Sequence, residues 1–116
     1  LLGYRADAVR VMSACDVFVL ASHDEGLGLA VMEALALGLP VVATDVGGVP
    51  EVVRRSEGIL VRPGQPRELA AALIDVVADD GRRHQMAAAA AERGDEMSIG
   101  EAVRRTESIY QDLVRR

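Results

Sequence analysis

The chain has 116 residues, a net charge of -5 and 50% apolar residues, which is the size and composition of one small domain with one core. No apolar run approaches the roughly 20 residues of a membrane span, and a single cysteine, Cys15, excludes an intramolecular disulfide or a cysteine-pair zinc site. All 13 basic residues are arginine, but the acidic balance and only three aromatic residues argue against a nucleic-acid module.

The chain begins at Leu1 with no basic and apolar leader, so it reads as a piece of something longer, and 1–3 as the tail of an element cut off upstream. The pattern predicts a helix over 5–14, with Ala8, Val9 and Met12 apolar. Residues 17–20, 41–43 and 59–61 are short unbroken apolar runs. Such runs, rich in Val and Ile, suit strands buried on both faces of a parallel sheet. Residues 28–37 form a helical pattern that is apolar almost throughout; Gly38 is placed to terminate it and Pro40 lies just beyond. A short helix is expected over 50–54, and another over 66–78, each with Pro in its first turn. The second carries Leu69, Leu73, Ile74 and Val77 on one stripe. Residues 82–93 hold the strongly helix-forming run 87–91. Ser98 and Glu101 have the spacing of a capping box, opening a last helix to about 114. Strands alternating with helices define βαβ units, and hence an α/β, Rossmann-like doubly wound parallel sheet or half of one.

Ligands of open parallel sheets bind past the carboxyl ends of the strands. The loops there are 21–28, 44–51 and 62–65. All are polar and glycine-bearing, and two open directly into helices. Glycine lets backbone amides approach an anion, and a helix N-terminus favours negative charge. Ordinary turn glycines are the competing reading, since Gly26-Leu27-Gly28 is not a full dinucleotide fingerprint. Glu33 is the sharpest anomaly, the lone polar residue of the 28–37 helix. A helix apolar all round is buried, and a buried carboxylate must be paired or bind something. Two readings compete: an internal ion pair or amide cap, and a carboxylate facing the cleft to accept hydrogen bonds from vicinal hydroxyls. Glu25 lies eight positions earlier, so both carboxylates can face one ligand.

The segments Asp24-Glu25-Gly26-Leu27-Gly28-Leu29, then 33–44 from Glu33 to Thr44, then Gly47-Gly48-Val49-Pro50-Glu51-Val52-Val53 carry a resemblance. They resemble the family 4 retaining glycosyltransferases of GT-B fold, whose E-x(7)-E motif would be Glu25 and Glu33. The resemblance extends from Gly3 to about Val114, and would make residues 1–116 a single partial domain, the later part of the C-terminal, nucleotide-sugar donor domain. It implies that Glu25, the catalytic candidate, lies at the donor sugar and bonds its hydroxyls. It implies that the amides of Gly26, Leu27, Gly28 and Leu29 reach the sugar and diphosphate, and that Glu33 holds the ribose hydroxyls. His23 joins them as a candidate sugar contact. Transfer would retain anomeric configuration, with no metal and no cofactor beyond the NDP-sugar substrate, whose phosphate would serve as base.

Leu27 stands where the family often has an aromatic residue, and Ala21-Ser22 where it often has Pro-Ser. The family's basic pair that clamps the diphosphate would lie upstream, with the acceptor domain. The expected partners are therefore an NDP-sugar, an unknown acceptor, and a missing N-terminal domain or complementing chain, with no nucleic acid. An open sheet edge at 17–20 would favour self-association. The expected location is the cytoplasm, or a membrane face reached through the missing domain. A non-catalytic nucleotide-sugar-binding module, or one subunit of a split transferase, is the alternative. Cys15 reads as a small core residue. His84 and the pairs Arg54-Arg55, Arg82-Arg83 and Arg104-Arg105 read as solvated helix faces, Arg62 as a minor phosphate candidate, and Glu51 as a first-turn carboxylate.

Overall fold

A computed structural model describes residues 2–115. Three strands, β1 (Phe18–Leu20), β2 (Val41–Thr44) and β3 (Gly58–Val61), form a parallel sheet in that order. Phe18 lies opposite Val41, and Val41 opposite Gly58. The helices are α1 (Ala8–Met12), α2 (Leu29–Ala36), α3 (Val49–Val52), α4 (Pro66–Ala78), α5 (Asp80–Glu96) and α6 (Ile99–Val114).

β2 is buried at every residue. Its alternation splits the core in two. Val41 and Ala43 pack with Val31, Ala34 and Leu35 of α2, Val49 and Val52 of α3, and Ala90 of α5. Val42 packs with Ala72 and Val76 of α4, and with Met86. Helices therefore cover both faces, which is why the run 41–43 has no polar alternation. Each fully buried Val or Leu contributes roughly 1.5–3 kcal/mol.

The end of α2 follows from one glycine. Gly38 has φ +71°, a left-handed conformation that side chains resist. This lets Leu39 N–H reach Ala34 C=O at 2.9 Å and Gly38 N–H reach Leu35 C=O at 2.9 Å. That is a Schellman closure, and it turns the chain directly into β2.

Several expectations are corrected. The run 17–20 is not buried on both faces, since Val19 is exposed; β1 is the open edge expected there, paired among the described residues with β2 alone. Residues 2 and 3 are in no strand, and Leu1 lies outside the described residues. Cys15 is exposed rather than core, because α1 buries none of its residues and the chain leaves it before reaching the sheet. α1 is shorter than 5–14, and α5 is longer than 82–93: it starts at Asp80 because Asp79 accepts Arg82 N–H as an N-cap, and it runs on to Glu96. The capping box at Ser98 forms by half. Its hydroxyl accepts Glu101 N–H at 3.3 Å, but the Glu101 carboxylate turns to Arg104 and Arg105. Arg83 is not fully solvated; it donates to Val77 C=O and pairs with Asp80.

Two further contacts brace the sheet ends. Glu57 is 1% exposed and accepts from Arg54 N–H at 2.6 Å and Ser56 Oγ at 2.5 Å, closing the turn into β3. Arg93 of α5 donates to Val52 C=O at 2.9 Å and Glu51 C=O at 3.0 Å, satisfying carbonyls at the end of α3. Arg93→Ala is expected to destabilise the fold by roughly 1–2 kcal/mol in urea unfolding, since the partly buried Val52 carbonyl and the exposed Glu51 carbonyl lose a charged donor. A surface arginine replaced as a control, such as Arg104→Ala, should change little.

Candidate functional site

The loops after β1 and β2 meet backbone to backbone. Gly48 N–H donates to Gly26 C=O at 2.7 Å. A Cβ at Gly47 would lie 1.7 Å from the Glu25 carbonyl oxygen, and one at Gly48 2.7 Å from the Gly26 carbonyl oxygen. Only glycine permits this approach, and Gly47 also has φ +53°. The contact clamps 25–28 against 47–48 at the carboxyl ends of two adjacent parallel strands, where such sheets bind ligands.

Gly28, at φ +73°, stands at the N-cap of α2 and offers no side-chain cap. Val31 N–H turns to Gly28 C=O at 2.9 Å, and among the described residues the amides of Leu29 and Ala30 remain open donors at the positive end of the helix. Glu25 is partly buried at the rim of the loop contact, its Oε1 accepting from Ser22 Oγ at 2.6 Å. Thr44 Oγ1, at the end of β2, donates to Ser22 C=O at 2.6 Å.

Glu33 is exposed, which corrects the expectation of a buried carboxylate. The reason is that α2 packs through Val31, Ala34 and Leu35, flanked by half-buried Met32, leaving the side chains of Leu29, Ala30, Glu33 and Ala36 exposed. Among the described residues Glu33 makes no ion pair and no side-chain hydrogen bond, so the internal-pair reading does not hold. It stands one turn beyond exposed Leu29 on the same row of α2. Glu25, Gly26, Leu27, Gly28 and Leu29 come together around the tip of α2, with Glu33 one turn along it.

His23 is set apart. It lines a hollow of about 270 Å³ with Ala21, Thr44, Arg62, Gly64, Gln65, Pro66 and Leu69, between the loops after β1 and β3. Arg62 at its mouth pairs with Glu68 of α4, a hydrogen bond that holds the Glu68 carboxyl below the ordinary glutamate value. A depressed carboxylate pKa means the pair persists at neutral pH and is lost as pH falls through that lowered value. Carboxyl NMR titration should therefore find a low Glu68 midpoint that rises in Arg62→Ala. Larger open hollows, about 520 Å³ along the outer edge of β3 and about 580 Å³ around Cys15 and Leu73, are not lined by 25–28 or 47–48, though the first reaches Asp45. Among the described residues, no three His, Cys, Asp or Glu side chains gather to hold a metal.

Gly47, Gly48, Ser22 and Thr44 lie in the strand-end loops expected to bind a ligand, but the sequence singled out none of them as a site residue. The glycines had a signal in their adjacency within a strand-end loop. The two hydroxyls had none: Ser22 bonds a carboxylate three residues on that no motif links it to, and Thr44 bonds a carbonyl 22 positions away on the neighbouring loop.

The profile of the family described as glycosyl transferases group 1 matches residues 1–93, and the chain belongs to that family. D-inositol 3-phosphate glycosyltransferase of Corynebacterium diphtheriae is 41% identical over 91% of this chain and 25% of its own length. N-acetyl-alpha-D-glucosaminyl L-malate synthase of Bacillus anthracis is 32% identical over 98% of this chain and 30% of its own. Among solved structures, Anabaena HepE in complex with UDP superposes with TM-score 0.83 at 31% identity, over 99% of this chain and 32% of that one. The C-terminal domain of a group 1 glycosyl transferase, LpcC of Francisella tularensis, superposes with TM-score 0.73 at 31% identity, over 83% of this chain and 51% of that one. The fold is thus that of a GT-B C-terminal domain, and the chain spans 23–30% of the length of the curated relatives it matches.

Proposed function

We propose that this chain is the nucleotide-sugar donor-binding part of a glycosyltransferase that retains anomeric configuration. The observation that carries the reading is the clamp of 25–28 against 47–48, which fixes Glu25 beside the uncapped N-terminus of α2. An open helix N-terminus at a strand end suits a diphosphate. Glu25 is a carboxylate acceptor for sugar hydroxyls, and Glu33 for the ribose hydroxyls. HepE is a structural relative solved with UDP and with UDP-glucose, which supports a nucleotide-sugar as the ligand class.

In transfer, the loop amides hold the diphosphate as it becomes the leaving group, and their fixed dipoles favour its growing charge. Glu25 orients the sugar, and the departing phosphate takes the acceptor proton. Chelating agents are expected to leave transfer unchanged. Among the described residues of the three strand-end loops the sole arginine is Arg62, already paired with Glu68. The chain alone is therefore expected to bind donor weakly and to transfer no sugar. Turnover by the isolated chain in a sugar-transfer assay would refute that expectation.

The test is titration with UDP by calorimetry or NMR. Glu33→Ala should weaken UDP by roughly tenfold or more, the worth of a charge-assisted hydrogen bond. Unchanged UDP affinity in that variant would remove Glu33 from the site.

A further inference from the structure

We infer that Ser22 and Thr44 are positioning residues that hold Glu25 in the one orientation useful to a ligand. The inference rests on the donor-sugar role proposed for Glu25. Ser22 Oγ has a single proton, and it goes to Oε1 of Glu25 at 2.6 Å. Among the described residues Oε2 accepts no hydrogen bond, so one carboxylate oxygen is anchored and the other is presented. Ser22 itself is held from 22 residues away, by Thr44 Oγ1 donating to its carbonyl at 2.6 Å. Thr44 is 4% exposed at the end of β2, the most buried strand. The relay therefore runs from the core of the sheet, through a loop carbonyl and a hydroxyl, to a carboxylate at the rim.

The relay matters because Glu25 is on a loop and only partly buried. A glutamate has several rotatable bonds, and freezing them on binding costs affinity. Ordering the side chain beforehand removes that cost, an effect on the order of several-fold to tenfold. The benefit falls on the part of the ligand that touches Glu25, the sugar, and not on the nucleotide.

The experiment compares dissociation constants of UDP-glucose and UDP for the same variants, so that general damage cancels in the ratio. Ser22→Ala and Thr44→Val should each raise Kd(UDP-glucose)/Kd(UDP) by roughly fivefold, while Ser22→Thr, which keeps the hydroxyl, restores it. Glu25→Ala should raise the ratio at least as far, and adding Ser22→Ala to it should do no more. If Glu25→Ala raises the ratio and Ser22→Ala does not, the positioning role is overturned and the donor-sugar reading stands. If Glu25→Ala leaves the ratio unmoved, the donor-sugar reading fails, and the Hα–Hβ couplings of Glu25 decide the positioning role. Couplings that average over rotamers in Ser22→Ala would uphold it, and couplings unchanged from the parent chain would overturn it.

Discussion

Gly47→Ala is expected to destabilise the chain by roughly 3 kcal/mol and to abolish donor binding. The new Cβ would sit 1.7 Å from the Glu25 carbonyl oxygen, a contact no side-chain rotation relieves. The left-handed backbone at φ +53° adds about 1–2 kcal/mol. Separating the two loops also breaks the hydrogen bond from Gly48 N–H to Gly26 C=O, worth about 1 kcal/mol. Thermal unfolding should reveal a fall of about 10–20 °C for a domain of this size. Gly64→Ala is the matched control. It has a similar φ, +70°, but its Cβ would meet only His23 Cε1, at 4.0 Å. Its cost should be nearer 1 kcal/mol, with donor binding kept. Equal losses in the two variants would mean that the loop contact is not the source of the effect.

Gly94→Ala should destabilise by roughly 2 kcal/mol, against the sign that helix propensity predicts. Glycine inside a helix is about 1 kcal/mol worse than alanine, so the exchange is favourable where there is room. Gly100 in α6 has room: a Cβ there would meet first Arg104 Nη1, at 3.6 Å. Gly94 has none, since a Cβ would lie 2.6 Å from Ala36 Cα and 2.8 Å from both Ala36 N and Leu35 O. These are backbone atoms of α2, so α5 and α2 would have to part and the core behind Leu35 would loosen. Urea midpoints should therefore fall for Gly94→Ala and rise slightly for Gly100→Ala. The functional consequence follows from position, because α5 is the buttress that holds α2 and its open N-terminus against the sheet. A rise in both midpoints would mean that α2 and α5 do not approach as described.

Much of this was legible before the structure. The three strands fell within one residue of their apolar runs, because a strand between two helical layers needs no polar alternation. Gly38 and Pro66 marked helix ends because each is there for a backbone reason. Periodicity misled where it was read as burial. The α2 pattern is apolar all round, yet Leu29 is 67% exposed and Glu33 stands outside with it. β1 is as apolar as β2, and the edge expected at 17–20 is there, but Val19 is exposed where the pattern was read as buried on both faces. Apolar composition states what a surface would pack against, not that the packing partner lies in the same stretch of chain. α6 makes the same point with Ile99, Tyr110, Leu113 and Val114, all exposed. Long-range devices were illegible for a different reason. Arg93 on the carbonyls of α3 and Thr44 on Ser22 pair residues 41 and 22 positions apart, which no local pattern encodes.

The most direct test of the donor site is amide NMR of the 15N-labelled chain titrated with UDP-glucose to millimolar concentration. The account predicts shifts concentrated in 25–30 and 46–49, the clamped loops and the first turn of α2, with Glu33 following. It predicts no comparable shifts at Arg54, Arg55 and Arg82, which line the open hollow along β3. Shifts confined to that hollow, or none at any concentration up to several millimolar, would contradict it.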